Sequence, residues 1–166
     1  MRHTREMATL RRSFQLLRSF RFEQAHPEIF YGGLAEDTAA LVDNLGRDLG
    51  VQLPGARILD VGGGPGYFAD AFARRGAHYV GLEPDAGEMS AAGIHLSNSV
   101  RGDGTNLPFA DNSFDVVYSS NVAEHIARPW EMAEEMVRVA RNLAVISYTV
   151  WLGPFGGHET GLWPHY

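Results

Sequence analysis

A glycine-rich segment in the first half of the chain constrains its fold more than any other feature. Residues 58–66 read Ile-Leu-Asp-Val-Gly-Gly-Gly-Pro-Gly, an apolar run that leads into a turn, and residues 67–73 then favour a helix. A buried strand that passes through such a turn into a helix is typical of nucleotide-binding α/β proteins. The N-terminus of the helix after the turn is expected to offer free backbone N–H groups to an anionic part of the ligand. We therefore predict a cofactor site at this turn.

Composition limits the classes of protein to consider. The chain has 166 residues, enough for one domain with a hydrophobic core, and its charged fraction of 20% is ordinary for a globular protein. It has no apolar run of about 18 residues, which argues against a transmembrane helix. Cysteine and lysine are both absent, which excludes disulfides, zinc–thiolate sites and lysine bases. Since the chain also lacks the apolar core of a signal peptide, we expect a cytoplasmic location.

Charge is distributed unevenly along the chain. The formal net charge is −6, yet residues 1–22 contain six arginines and the remainder is acidic. Four apolar residues in this basic segment recur at helical spacing: Met7, Leu10, Phe14 and Leu17. This stripe predicts an amphipathic helix that packs on the domain or on a partner chain. The acidic remainder argues against nucleic acid as a partner.

Strands and helices alternate along the chain. We predict helices at about 4–23, 34–49, 66–75, 85–92 and 129–141, and strands at about 57–61, 78–82, 94–100, 114–119 and 143–150. Pro27 is expected to break the first helix, Gly50 to cap the second, and Asn142 to make the turn before the last strand. That last strand is largely apolar, which is typical of a strand covered on both faces. This order predicts an α/β fold, a Rossmann-like three-layer sandwich with a mostly parallel central sheet.

Polar residues follow the predicted strands. Glu83 ends the second strand, where an acid can hold a ribose diol, and Pro84 comes next. Asp103 follows the third strand, while Asn121 and His125 follow the fourth. The glycine pattern alone leaves a dinucleotide open as the ligand, because its looser form fits through Gly64, Gly66 and Ala69.

Three motifs in order, LDVGGGPG, VGLEP and GDGTNLPFADNSFDVVYSSNVAEH, resemble the class I S-adenosylmethionine (SAM) dependent methyltransferases. The likeness is greatest to the type-11 methyltransferase domain group of small-molecule enzymes, and it runs from about Gly55 to Val150. It implies SAM as the cofactor and a small-molecule or lipid-like methyl acceptor. Metal catalysis is not expected, because no local His pair has metal-ligand spacing.

The resemblance also implies roles for individual residues near the methionine and ribose ends of SAM. Asp60 would offer a negative charge near the sulfonium and ammonium, and Glu83 would accept hydrogen bonds from both ribose hydroxyls. The residues that would let backbone approach or line the cofactor are Gly62, Gly63, Gly64 and Pro84. As an alternative, Glu83 caps a helix and has no ligand.

At the adenine and methyl ends, the resemblance implies that Asp103 accepts from the adenine amino group and that the Gly104 backbone lies at the ring edge. Asn121 would lie beside the methionine moiety, and Tyr31 would belong to a lid. His125 would act as a general base for a hydroxyl acceptor. Alternatives stay open for three of these residues: Asp103 is a turn former, Tyr31 packs on the sheet, and His125 caps a loop or only shapes the pocket.

The chain divides into an N-terminal helical segment and cofactor lid (1–54), a SAM-binding core (55–150) and a C-terminal loop that begins a substrate region (151–166). A complete fold of the resembling group adds a helix and an antiparallel hairpin of strands 6 and 7 after the fifth strand, and the given sequence is too short to supply both. We therefore expect either a fragment of a longer protein or a sheet edge that is completed in another way. An uncovered sheet edge favours association, so a homodimer through that edge or through the N-terminal helix is expected.

The leading hypothesis from sequence is thus a SAM-dependent methyltransferase. Two alternatives remain: a SAM-binding module without catalysis, and an NAD-dependent oxidoreductase. The later motifs and the absence of lysine for a Tyr-x-x-x-Lys pattern speak against the oxidoreductase.

Overall fold

A five-stranded parallel sheet forms the centre of the computed structural model, which describes residues 1–22, 25–90 and 98–148. The α-helices of these residues are α1 (Arg2–Met7), α2 (Leu10–Ser19), α3 (Pro27–Leu49), α4 (Ala69–Ala73), α5 (Ala86–Ser90) and α6 (Pro129–Val139). The strands are β1 (Arg57–Val61), β2 (His78–Glu83), β3 (Ser99–Arg101), β4 (Phe114–Ser120) and β5 (Ala140–Ser147). They lie in the order β3-β2-β1-β4-β5, and each neighbouring pair is parallel. The predicted Rossmann-like α/β fold is confirmed.

The hydrophobic core lies on both faces of the sheet. Because side chains alternate along a strand, Ile58 faces the helices α3 and α4 while Leu59 faces α6. Helix α6 buries Met132, Met136 and Val139, which recur at helical spacing and so form one apolar face. Burial of side chains of this size contributes roughly 1.5–3 kcal/mol each, so the two half-cores hold the helices against the sheet.

The N-terminal helices differ from the single helix predicted at 4–23. The chain turns at Ala8–Thr9, and the Thr9 hydroxyl accepts a hydrogen bond from the Arg12 backbone N–H at 3.2 Å. A threonine in this place caps a new helix, which explains the break. The prediction that Pro27 breaks the first helix is wrong, because α2 already ends at Ser19; Pro27 is the first residue of α3, where its missing N–H costs nothing. The prediction that Gly50 caps α3 is confirmed, with a φ of 80°.

Helix α2 turns its apolar stripe away from the domain. Leu10, Phe14 and Leu17 are 80%, 63% and 58% exposed. Arg12, on the opposite side of the helix, pairs with Asp37 of α3, and its Nε lies 2.6 Å from Oδ1. The expectation that the stripe packs on the domain is therefore wrong for the described residues, and packing on a partner chain stays a prediction.

Helix α1 is held on α3 by one carboxylate. Asp48 accepts hydrogen bonds from the His3 and Thr4 backbone N–H groups, each at 2.9 Å, and from the Thr4 hydroxyl at 2.7 Å. Burial acts to raise the pKa of Asp48, but these hydrogen bonds outweigh it and lower the pKa. The carboxylate stays charged at neutral pH and anchors the start of the chain.

Helix α4 spans five residues and is shorter than the predicted helix at 66–75. Helix α5 and β3 are described over five and three residues, which fall within or next to the predicted 85–92 helix and 94–100 strand. Residues 91–97, on which part of these predictions fell, lie outside the described residues. The predicted strands β1, β2 and β4 agree with the structure to within one residue.

Strand β5 departs most from the sequence interpretation. Helix α6 passes directly into it, so Asn142 lies inside the strand and the prediction of a turn there is wrong. The strand also lies at the edge of the sheet, paired only with β4 among the described residues, and most of its residues are exposed or half-buried. The largely apolar sequence of β5 predicts a strand buried on both faces. At the edge of the sheet, however, most of its side chains keep contact with solvent.

The predicted C-terminal loop at 151–166 lies outside the described residues. Within the described part of the chain, no helix is both long enough and apolar enough to span a membrane.

Candidate cofactor site

The carboxyl ends of β1 and β4 meet where the strand order reverses. The chain leaves β1 toward β2 and β3 on one side, and β4 and β5 lie on the other side. In open parallel sheets such a reversal opens a crevice in which ligands bind. The glycine turn follows β1, and Asn121 follows β4, so both predicted motifs stand at this crevice.

The backbone of the glycine turn is already hydrogen-bonded. The Gly62 and Gly63 N–H groups both donate to the Leu82 carbonyl, at 2.8 and 3.1 Å, and the Gly64 N–H donates to Glu83 Oε2 at 3.1 Å. These three N–H groups are therefore not free to bind an anion, because the end of β2 lies beside the turn and uses its donors. The predicted anion-binding donors at the N-terminus of the following helix stay a prediction.

Two of the glycines have no room for a side chain. A Cβ on Gly62 would lie 2.4 Å from Val122 Cγ2, so the loops after β1 and β4 touch there. A Cβ on Gly63 would lie 2.8 Å from the Tyr79 hydroxyl and 3.0 Å from Asp60 Oδ2. Gly62 also has a φ of +79°, a conformation that disfavours other residues. The glycines thus allow the turn to pack closely against Val122, Tyr79 and Asp60, in addition to the predicted close approach of the backbone to a ligand.

Asp60 is buried beneath the turn, with 2% of its surface exposed. Its Oδ2 accepts hydrogen bonds from the Tyr79 hydroxyl at 2.6 Å and from the Tyr118 hydroxyl at 2.8 Å. Burial raises the pKa of Asp60 to about 7, against the opposing effect of the two phenols, and the nearby Glu83 charge adds to the rise. Asp60 is therefore partly protonated near neutral pH in the ligand-free protein.

Glu83 stands half-buried at the end of β2, as predicted. Besides accepting from the Gly64 N–H, its carboxylate accepts from the Asp85 backbone N–H at 3.2 Å. The cap of α5 is Asp85, whose Oδ1 accepts from the Gly87 and Glu88 N–H groups at 2.6 and 3.1 Å, so Glu83 does not cap this helix. The exposed Pro84 accepts at its carbonyl from Arg101 Nε at 3.0 Å. The ends of β2 and β3 are joined by this bond, so the Glu83 and Asp103 regions are held together.

Asp103 and Gly104 follow β3. Asp103 Oδ1 accepts from the Thr105 N–H and hydroxyl at 2.8 and 2.9 Å, and these bonds lower the pKa of its carboxyl. One oxygen of Asp103 thus forms a turn, as in the alternative interpretation. Gly104 is buried, and a Cβ there would lie 3.0 Å from Val61 Cγ1.

Arg138 of α6 fixes the loop that follows Gly104. Its guanidinium donates to the Phe109 carbonyl at 2.8 Å and to the Leu107 carbonyl at 3.0 Å. Glu135, one turn earlier, accepts from the Leu107 N–H at 2.7 Å and pairs with the same arginine. Sequence analysis missed this clamp, although an acid and an arginine three residues apart on a helix are a known signal for an ion pair.

Asn121 has a strained backbone. It adopts a φ of +56° at the end of β4, and its N–H donates to the Ser147 carbonyl at 2.9 Å. A residue other than glycine in this conformation is uncommon and is often found at functional sites. His125 lies four residues on, exposed, at the end of a short 3₁₀ turn (Ala123–His125).

Tyr31 lies in the first turns of α3 and not in a loop. Its ring stacks on the ring of Tyr67 with a centroid distance of 4.8 Å and an interplanar angle of 7°. Tyr67 directly follows the glycine turn, so the N-terminal segment reaches the predicted site. Tyr67 was not singled out in the sequence, because its partner is distant along the chain.

No cluster of three or more potential metal ligands occurs in the described ranges. A shallow depression of about 360 Å³ lies at the opposite edge of the sheet, before β1, lined by Asp43, Arg47, Gly50, Gln52 and Pro54. It is remote from the strand ends that carry the predicted site residues and has no part in the site.

A family model described as a methyltransferase domain matches residues 59–146, which is more than half of the chain. The chain belongs to this methyltransferase family. The resemblance drawn from the three motifs is thereby confirmed. An uncharacterised methyltransferase of Mycolicibacterium gilvum is 60% identical over 166 residues that cover 96% of this chain. The chain spans 65% of the length of that relative.

Solved structures share the fold. A protein of Anabaena variabilis, provisionally described as a methyltransferase from an antibiotic biosynthesis pathway, aligns with a TM-score of 0.55 at 23% identity. The alignment covers 68% of this chain and 46% of the other. The [4+2]-cyclase SpnF aligns with a TM-score of 0.53 at 24% identity, over 71% of this chain and 51% of the other. At these identities the likeness shows the fold alone.

Proposed function

We propose that this chain is the cofactor-binding part of a SAM-dependent methyltransferase that acts on a small-molecule or lipid-like acceptor. The observation that carries the proposal is the set of acidic side chains at the carboxyl ends of successive strands. Asp60 lies near the end of β1, Glu83 ends β2 and Asp103 follows β3, all in a chain of the methyltransferase family.

The acidic side chains of the candidate site fit SAM better than they fit a dinucleotide. The carboxylate of Asp60 suits the sulfonium and ammonium of SAM, that of Glu83 the ribose diol, and that of Asp103 the adenine amino group. A pyrophosphate needs free N–H donors, yet those of Gly62, Gly63 and Gly64 are used by Leu82 and Glu83. The family match likewise gives no support to the NAD alternative.

In this proposal the cofactor is held by the residues predicted from sequence: Tyr31, Asp60, Gly62, Gly63, Gly64, Glu83, Pro84, Asp103, Gly104 and Asn121. When bound, SAM supplies a methyl group on a positively charged sulfur. Methyl transfer depends mainly on the alignment of acceptor and methyl, so few catalytic side chains are required.

His125 is the candidate general base. It is exposed at the carboxyl edge of the sheet, where an acceptor would approach. For a hydroxyl acceptor, His125→Ala should reduce turnover by roughly 10²–10⁴ with SAM affinity nearly intact. Wild-type turnover and an unaltered pH profile in that variant would remove His125 from the mechanism.

The proposal assigns the three segments of the chain different tasks. Residues 1–54 act as a lid, which the Tyr31–Tyr67 stack supports. Residues 55–150 bind SAM, and 151–166 begin the substrate region. A cytoplasmic location and the absence of a nucleic acid acceptor are also part of the proposal, and they rest on the sequence alone.

A second candidate function is SAM binding without methyl transfer. The specific observation in its favour is that SpnF, a [4+2]-cyclase, has the same fold. A shared fold does not determine the reaction, so the site must be tested directly.

Calorimetry with SAM and with NAD tests the cofactor, and a screen of acceptors with methyl-labelled SAM tests the reaction. The screen should use the full-length protein, because the chain spans 65% of its relative. We expect SAM to bind and to raise the melting temperature, and NAD to do neither. Binding of NAD without SAM would refute the proposal, while SAM binding without labelled product from any acceptor would favour the second candidate.

A further inference from the structure

Three adjacent strands bring one carboxylate and two phenols together in the core. Asp60 on β1 aligns with Tyr118 on β4 and with Gly81 on β2, and Tyr79 lies two residues before Gly81. Residues aligned in a parallel sheet point to the same face, so the three polar side chains meet under the glycine turn. Both phenols donate to the same oxygen, Oδ2.

Local packing holds the two phenols in place. Gly81 has no side chain, which leaves space for the Tyr79 ring to lie along the strand and reach Asp60. A Cβ at position 81 would lie 3.5 Å from the Tyr79 hydroxyl. Phe72 of α4 packs against both rings, with centroid distances of 6.2 Å to Tyr79 and 5.2 Å to Tyr118. Burial raises the pKa of both tyrosines well above its ordinary value, so each remains a hydrogen-bond donor at neutral pH.

Fold stability alone does not account for this cluster. A buried charged group is costly, and apolar residues of similar volume often fill such a place without loss of stability. The titratable groups that face Asp60 are the two phenols and, more distantly, Glu83, and among the described residues no cation lies against it. The carboxylate stands under Gly63, at the place where the proposed function puts the positive end of SAM.

We propose that Tyr79 and Tyr118 are positioning residues of the cofactor site, which favour the ionised form of Asp60 and fix its position so that it recognises the positive charge of SAM. The inference rests on the proposed function. Both phenols donate to Oδ2 and thereby orient the carboxylate. Among the described residues no hydrogen bond to Oδ1 is found, so this oxygen can accept from a ligand. A bound cation would compensate the charge of the buried carboxylate, against which no cation lies among the described residues.

The pH dependence of SAM binding tests the inference. Calorimetry should find that affinity in the wild type increases as pH rises through about 7, where Asp60 loses its proton. Tyr79→Phe and Tyr118→Phe each remove a hydrogen bond to the charged form, so the increase should move upward by roughly one to two pH units. Near neutral pH this means a loss of roughly tenfold or more, with recovery at higher pH.

Two further variants test whether the pH dependence of SAM affinity comes from the Asp60 carboxyl. Asp60→Asn should remove the pH dependence, and Tyr148→Phe deletes the same atom from an exposed ring and should leave the profile unchanged. A loss of affinity by the same factor at every pH in Tyr79→Phe and Tyr118→Phe would mean a purely structural role and would overturn the inference. Unchanged binding in both variants would also overturn it.

A ligand-free measurement separates this inference from the proposed function. NMR titration of the Asp60 carboxyl should show its midpoint displaced upward in both tyrosine variants, whether or not SAM binds. A midpoint that does not move refutes the coupling of phenols and carboxylate. A midpoint that moves in a protein that binds no SAM at any pH refutes the proposed function instead.

Discussion

Single residues near the glycine turn have roles both in the fold and in the proposed chemistry. Asp60 is the clearest case, because the fold buries it and holds it with two phenols, although a charged carboxyl is costly there. Glu83 likewise binds the backbone of the turn and is the proposed ribose ligand. Substitutions at these positions should therefore affect both the free energy of unfolding and the affinity for SAM, and each effect can be measured by itself.

Asp60→Asn should change how stability depends on pH. The folded-state pKa of about 7 lies above the value near 3.9 of an unfolded aspartate, so the neutral carboxyl is favoured by folding. That contribution is complete below about pH 4 and is lost as pH rises through about 7. We expect the wild type to lose roughly 2–3 kcal/mol of this contribution between about pH 5 and pH 8, and Asp60→Asn to lack the change. Urea unfolding at both pH values measures it, and equal slopes in the two proteins would contradict the prediction.

Glu83→Ala should weaken SAM binding by roughly tenfold or more, since each hydrogen bond to a charged group contributes about 1.5–3 kcal/mol. Glu88→Ala is the matched control, because Glu88 is an exposed acid on the neighbouring helix α5. Circular dichroism should show both variants folded. If calorimetry gives the same dissociation constant for Glu83→Ala and the control, Glu83 serves only the glycine turn and does not bind the cofactor.

At the scale of elements, the site depends on contacts between loops that follow different strands. The turn after β1 touches Val122 after β4, and the region after β3 is clamped by Arg138 of α6. Helix α3 adds Tyr31 from the N-terminal side. Because each contact joins two elements, a substitution that displaces one loop should also displace the loop that it touches.

Gly62→Ala should be more damaging than Gly64→Ala. Both glycines have positive φ, so both substitutions carry backbone strain on the order of 1 kcal/mol or more. A Cβ on Gly62 also meets Val122 at 2.4 Å, whereas a Cβ on Gly64 has no atom within 4 Å among the described residues. Thermal unfolding should show the larger loss for Gly62→Ala and a partial recovery in the double variant with Val122→Ala. Equal losses for the two glycines would mean that the loop contact is unimportant.

At the scale of the whole molecule, two surfaces stand open in the described residues. One is the apolar stripe of α2, and the other is the outer edge of β5, where Ile146 is 39% exposed. Exposed apolar stripes and open strand edges both favour association. The arginines beside the stripe contrast with the acidic remainder of the chain, which favours contact with a second copy.

A homodimer through one of these surfaces is therefore the expected assembly. Sedimentation of the full-length protein should show dimers that Phe14→Gln or Ile146→Lys converts to monomers, depending on which surface is used. Arg2→Gln, an exposed change on α1, serves as the control. A monomeric wild type, or dimers that neither substitution affects, would refute the dimer at these surfaces.

Short-range patterns in the sequence were enough to predict the parallel fold, the family and the place of the proposed site residues at the strand ends. Alternating apolar runs, turn glycines and acids after strands act over a few residues, so they can be recognised without the fold. The orientation of the α2 stripe, the edge position of β5 and the use of the turn N–H groups by Leu82 and Glu83 were decided only by the tertiary structure. The same is true of the Asp60 cluster, whose phenols come from 19 and 58 residues further along the chain. Strand register brings these groups together, and register depends on the packing of the whole sheet.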